Sequence, residues 1–288
     1  MDRLHLPSLE ALSVPGPPDP AAYTARVIEV SGYTKRFGKH TAVDGLSFSV
    51  RGGELFGLLG SNGAGKTTTI RALVGLTRPT SGAVRVAGYD VWAQPLEAKA
   101  AFGYIPDRPY LYGKLTAREL LRFVGDLYRV PDVGAQIDRW LEYFRLTEYG
   151  NEPVETYSHG MRQKVAIIAA MLPDPPVLIV DEPMVGLDPH AARQVRELFR
   201  GHADRGRAVL LTTHSLPLAE AVCDRLVVLD RGRVLGAGTL DELRTQTGTA
   251  AGGVAGDSLE RVFFRLLEEE QANEQAARAA AGVNDAEG

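Results

Sequence analysis

An α/β fold is predicted, with a mixed, mostly parallel sheet, an N-terminal antiparallel β portion and a helical insertion subdomain. Three observations predict it. Short apolar runs alternate with helical patterns at Glu54–Leu59, Val177–Val180 and Ala208–Thr212, and a further apolar run follows at Leu226–Leu229. The stretch from Arg26 to Val50 is strand-like throughout, first through Val27, Ile28 and Val30 and then through alternating Leu46, Phe48 and Val50. Between about Gly88 and Leu172 strand signals fade, the strand-like Phe102–Ile105 apart, and helical spacing takes over.

In chain order, the first 25 residues read as a disordered tail. They carry five prolines in the opening twenty residues and lack the apolar core of a signal peptide. The principal domain runs from 26 to 243. Its first βα unit is Glu54–Leu59, ending in a glycine, followed by Ile70, Leu73 and Val74 at helical spacing. The helical subdomain occupies about 90–172. Thr116 opens a capping box with Glu119, ahead of Leu120, Phe123, Val124 and Leu127 on one face, and a second segment carries Ile137, Trp140, Leu141 and Phe144. Residues 244–257, TQTGTAAGGVAGD in their greater part, have linker composition. Residues 258–288 read as a helix, with Leu259, Val262, Phe263, Leu266 and Leu267 at helical spacing, ending in a frayed Ala/Glu tail.

Bulk properties exclude several classes. With 288 residues, 44% of them hydrophobic, the chain can fill a core. A net charge of −4 with no Lys/Arg stripe gives no field for nucleic acid. No apolar run approaches the roughly 20 residues of a membrane-spanning helix. The single cysteine, Cys223, has no partner for an intramolecular disulfide, which fits a reducing compartment, and reads as a small core residue.

The strongest local signal is Gly60-Ser61-Asn62-Gly63-Ala64-Gly65-Lys66-Thr67, followed by Thr68. It is a G-x-x-x-x-G-K-[ST] phosphate loop between a strand and a helix, so the fold class sharpens to a phosphate-loop NTPase core. Successive backbone N–H groups and the helix N-terminus favour a phosphate anion. Lys66 is expected at the β and γ phosphates, and the Thr67 hydroxyl on Mg²⁺. Downstream, the apolar run Val177–Val180 delivers Asp181 and Glu182 at its carboxyl end. Asp181 is expected to hold Mg²⁺ and Glu182 to polarise the attacking water as general base.

Those two motifs fit any phosphate-loop NTPase, and others narrow the class. Tyr157-Ser158-His159-Gly160-Met161 opens a helix just upstream of the acids; Gly186-Leu187-Asp188-Pro189 follows them; Thr212-Thr213-His214 ends a later strand; Phe37 lies 23 residues before Gly60. Taken singly each has a plain structural reading: Ser158 as an N-cap, Asp188 as a helix start before proline, His214 as a strand-end residue, Phe37 as core. Taken in order and spacing, they resemble the ATP-binding cassette family over roughly Arg26 to Leu243. Tyr157, His159 and Met161 depart from the commonest spelling of the family's signature.

The resemblance implies the following. The ligands are ATP and Mg²⁺, and two cassettes form a nucleotide sandwich, as homodimer or heterodimer. Phe37 stacks on adenine, Ser158 and Gly160 grip the γ-phosphate bound by the opposite subunit, Asp188 lies across the interface, and His214 contacts the γ-phosphate. A single cassette with no membrane span implies a cytoplasmic subunit, peripheral at the inner face of the cell membrane, driving a separate permease. The signature and C-terminal stretch look most like exporter cassettes. The alternative is a soluble cassette of the repair or translation type, whose relatives typically carry a long coiled-coil insertion or two cassettes in one chain. Most cassettes place a metal-binding glutamine where this chain has Asp107, which reads either as a metal ligand or as a solvated acid between Pro106 and Pro109.

Overall fold

The computed structural model describes residues 26–184, 186–248 and 258–284. The expected tail over 1–25, most of the expected linker and the last four residues lie outside the described residues.

The N-terminal β portion is a four-stranded antiparallel sheet of its own. It comprises β1 (Arg26–Phe37), β2 (His40–Arg51), β4 (Ser81–Val86) and β5 (Tyr89–Asp90) in the order β2-β1-β4-β5. The central sheet has six strands: β3 (Leu55–Gly60), β6 (Phe102–Ile105), β7 (Val177–Asp181), β8 (Ala208–Thr213), β9 (Arg225–Asp230) and β10 (Arg233–Gly238). Their order is β10-β9-β3-β8-β7-β6, antiparallel only at β9–β10. Every residue of β3, β7 and β8 is buried, because parallel strands covered on both faces must be apolar throughout. Register aligns their carboxyl ends: Leu59 pairs with Thr213, Asp181 with Thr212, and Ile105 with Val180. One edge of the sheet therefore gathers every strand end named in the sequence reading.

Three apolar clusters hold the layers. The first joins the antiparallel sheet to α1 (Lys66–Leu73) and includes a stacked Phe48–Phe56 pair with centroids 5.4 Å apart. The second joins the central sheet to α3 (Ala117–Leu127), α4 (Val133–Tyr143), α5 (His159–Met171) and α6 (Pro189–Asp204). The third lies under the C-terminal helix. Between them sit α2 (Pro95–Ala100), α7 (Leu216–Val222) and α8 (Leu240–Gln246). Cys223 is half-buried where the second and third clusters meet, and burial pushes its thiol up to about 12, so it stays protonated.

Phe102–Ile105, the strand-like run inside the insertion, pairs with β7, because its short apolar run can be buried on a parallel neighbour. Three local readings need adjustment. In α3 the Thr116–Glu119 capping box has both halves and Leu120 is buried as expected, yet Phe123 and Leu127 are exposed, and Leu121 joins Leu120 in the core. The ordered fold continues past Leu243 to Gln246, because Thr239 and Glu242 form a second capping box for α8. The terminal helix α9 runs Leu259–Asn284, well into the stretch expected to fray, since the Ala, Glu, Gln and Arg there are strong helix formers. Its Leu259, Val262 and Leu266 are buried against Leu226, Val228 and Leu243. No described helix is long and apolar enough to cross a membrane.

Candidate active site

A cleft of about 680 Å³ opens where the carboxyl ends of β3, β6, β7 and β8 meet. Its floor is the 60–68 run. Gly65 caps α1 at φ +105, a left-handed conformation that an L side chain resists, and so the loop can turn directly into the helix. Ser61, Asn62, Gly63, Gly65, Lys66, Thr67 and Thr68 all line the cleft. Ala64 does not; it is buried beneath the loop.

Lys66 is buried, and its Nζ donates to the carbonyls of Gly60 at 2.6 Å and Ser61 at 3.1 Å. Burial pulls the ammonium below its ordinary pKa, while the Glu182 and Asp181 charges push it back. Glu182 Oε1 lies 3.9 Å from that Nζ. The lysine is thereby held along the loop, with its ammonium beside the Glu182 carboxylate.

The acids sit differently despite adjacency. Asp181 is buried and accepts a hydrogen bond from Thr212 Oγ1 at 2.5 Å. Burial raises its pKa; Asp107 and Glu182 add to the rise, and the Thr212 hydrogen bond and Lys66 oppose it. Glu182 leaves the strand at φ +49, a conformation that costs a non-glycine residue about 1–3 kcal/mol. Its amide is held by the Thr212 carbonyl at 3.2 Å and Thr212 Oγ1 at 3.3 Å. The bend turns its carboxylate across the cleft to His214, whose Nδ1 is 2.9 Å from Glu182 Oε1. A carboxylate accepts only, so Nδ1 carries the proton and Nε2 is left facing away from Glu182.

The other expected residues are less tightly held. Phe37 is 53% exposed at the cleft edge, with Lys35 Nζ over its ring at 5.0 Å from the centroid; it is a surface ring rather than core. Asp107 lines the cleft and accepts from the Arg108 amide at 2.8 Å. Ser158, Gly160 and Asp188 lie outside it. Ser158 Oγ caps α5 by accepting from Met161 N at 3.2 Å, and Asp188 caps α6 by accepting from Ala191 N at 2.9 Å. That backbone hydrogen bond is the main reason the Asp188 carboxyl is held below the usual carboxylate range. The signature and the Gly186 turn interlock: a Cβ on Gly160 would sit 2.8 Å from the Gly186 carbonyl, and one on Gly186 would sit 2.1 Å from the His159 ring.

Sequence reading missed His40, Ala42, Arg108 and His159, which also line the cleft, and the bridging role of Thr212. The first four are near neighbours of expected residues, and no pattern marks them out. The donor set fits Mg²⁺: the Thr67 hydroxyl and the Asp181 and Asp107 carboxylates, all lining the cleft, are hard oxygens. Among the described residues no three His, Cys, Asp or Glu are grouped to hold a metal by themselves. Mg²⁺ ordinarily takes one or two carboxylates and completes its shell with substrate phosphates and water.

Residues 43–185 match the family described as ABC transporter. The chain is 39% identical over 246 residues to the Nod factor export ATP-binding protein I of Ralstonia nicotianae, covering 84% of this chain and 77% of that protein. It is 38% identical over 224 residues to the linearmycin resistance ATP-binding protein LnrL of Bacillus subtilis, covering 77% and 72%. To the daunorubicin resistance ATP-binding protein DrrA3 of Streptomyces coeruleorubidus it is 39% identical over 223 residues, covering 77% and 71%. Among solved structures, an ATP-binding subunit of an ABC transporter superposes with a TM-score of 0.79 at 36% identity, covering 84% of this chain and 99% of that one. A dimeric ATP-binding cassette in a post-hydrolysis state with ADP and Pi gives 0.67 at 22% identity over 74% and 98%, a likeness of fold.

Proposed function

Because this chain belongs to the ABC transporter family, we propose that it is the ATP-hydrolysing subunit of an exporter, acting as a nucleotide-sandwich dimer on a separate membrane permease. The observation that carries the hydrolytic reading is the Glu182 cluster. One carboxylate, turned out of its strand at a strained bend, lies 2.9 Å from His214 Nδ1 and 3.9 Å from Lys66 Nζ.

In this reading the loop amides from Ser61 to Thr68 and Lys66 bind the phosphates, and Phe37 offers its exposed face to adenine. Glu182 accepts the proton of the attacking water, and His214 orients Glu182 and the γ-phosphate. Thr67 and Asp181, with Asp107 from the neighbouring strand end, would hold Mg²⁺, which neutralises phosphate charge when bound. Ser158, Gly160 and Asp188, outside their own cleft, are left to face the nucleotide of a second subunit. The relatives named for Nod factor export and for drug resistance support export as the direction. Exposed Tyr110, Tyr112, Phe123 and Leu127 on the helical subdomain supply apolar surface for a permease, which would hold the subunit at the inner face of the membrane.

The test is Glu182→Gln. ATP binding persists, turnover falls about 100-fold or more, and size-exclusion chromatography with ATP shows a trapped dimer. A variant that hydrolyses like the parent, or stays monomeric with ATP at high concentration, overturns the reading.

A further inference from the structure

The hairpin joining β9 to β10 pairs Asp230 with Arg233, leaving Arg231 and Gly232 as its two turn residues at φ +44 and +82. The turn is spent on something other than reversing the chain. Gly232 N donates to the Ala64 carbonyl at 3.0 Å, and the Gly232 carbonyl accepts from Asp44 N at 2.8 Å. Arg233 adds an ion pair to Asp44 at 3.6 Å. One residue, through its N–H and its carbonyl, thus ties the underside of the phosphate loop to strand β2.

The three segments touch backbone to backbone. A Cβ on Gly232 would sit 2.6 Å from the Ala42 carbonyl oxygen and 3.0 Å from Val43 Cα. A Cβ on Gly65 would sit 2.8 Å from the same Ala42 oxygen and 3.5 Å from Gly232 Cα. No flexible side chain is available to give way. Ala42 lines the cleft from the other side, and Gly65 precedes Lys66 directly.

We propose that this turn is the seat of the phosphate loop and that Gly232 is a positioning residue for ATP binding, an inference that rests on the function proposed above. Gly232 is absent from the cleft lining and acts through Ala64, Gly65 and Ala42. Any side chain there wedges strand β2 away from the loop and displaces the amides that face the phosphates. Displacements near 1 Å can change rates and binding about 100-fold.

The experiment compares Gly232→Ala with Gly88→Ala. Gly88 has the same φ of +82 in the β4–β5 turn with nothing within 4 Å of its would-be Cβ, so its variant carries the backbone strain without the wedge. We expect both to lose melting temperature, Gly232→Ala the more because the wedge adds to the shared backbone strain. Gly232→Ala raises KM for ATP about tenfold or more, by a larger factor than kcat falls, and Gly88→Ala leaves both near the parent. Equal KM in the two variants overturns the proposal. Hydrogen exchange on the unmodified protein gives an answer even if Gly232→Ala does not fold. ATP should slow exchange of the Gly232 and Asp44 amides and leave Gly88 unchanged, and no slowing at Gly232 overturns it equally. A parent that binds no ATP overturns the function itself, which separates the two failures.

Discussion

The phosphate floor and the signature rim both carry expected site residues, yet the fold treats them in opposite ways. On the floor, Lys66 and Asp181 are buried, and their partners (Gly60, Ser61 and Thr212) come from strand ends that packing fixes. On the rim, Ser158, Asp188 and Asp107 each spend a side-chain oxygen on a backbone amide one to three residues away. The floor's charged groups are held by packing between distant segments. The rim's acceptors hold their own helix ends and loop, and the long-range contact there is the His159–Gly186 interlock. The lesson is that the same residue types can be preorganised by the sheet or merely parked at helix starts, and sequence spacing does not distinguish them.

The largest effect that could break this contrast is at Ser158. Ser158→Asp keeps an N-cap acceptor, so the melting temperature should stay within a few degrees of the parent. A negative charge facing a γ-phosphate should nevertheless cut ATP-driven dimerisation and turnover about 100-fold. Parental ATPase in Ser158→Asp would mean that the rim serves only its own helix.

An intermediate effect tests the far end of α6, which begins at the rim and ends in the core. His202 there is fully buried; burial, with the Arg207 and Arg205 charges, lowers its pKa from 6.5 to about 3, against a weaker pull from the Pro175 backbone. A depressed pKa means that the unfolded chain binds the proton first. The associated stability is complete above pH 6.5 and is lost as pH falls from there toward 3, by about 1.4 kcal/mol per pH unit. Urea denaturation at pH 7 and pH 5 should therefore show a smaller pH difference for His202→Gln than for the parent. An equal difference would remove His202 as an acid-sensitive part of the core.

The smallest effect sharpens the boundary between floor and rim. Asp107 faces the cleft but is exposed and tied to the Arg108 amide. Asp107→Ala should raise the Mg²⁺ needed for half-maximal ATPase about three- to tenfold, with unchanged melting temperature. Overlaying Mg²⁺ titrations would leave Asp107 with no part in metal binding and its carboxylate as loop structure only.

The sequence by itself determined the phosphate loop, the acidic strand end, the order of the motifs and the βα alternation. Each is written in contiguous residues whose local chemistry admits few arrangements: glycines before a lysine at a helix start, or an apolar run closed by acids. Tertiary structure decided what depends on contacts between distant segments. It split the N-terminal strands into their own sheet, set the strand-like Phe102–Ile105 beside β7, and turned Phe123 and Leu127 outward. It also gave Thr212 two partners 30 and 31 positions away and set Gly232 beneath Ala64. Threonines ending a strand and a glycine in a two-residue turn are each fully explained by local geometry, so nothing in their neighbourhood announces the second contact. That contact exists because parallel register brings strand ends to one edge, and backbone can meet backbone there only where a side chain is missing.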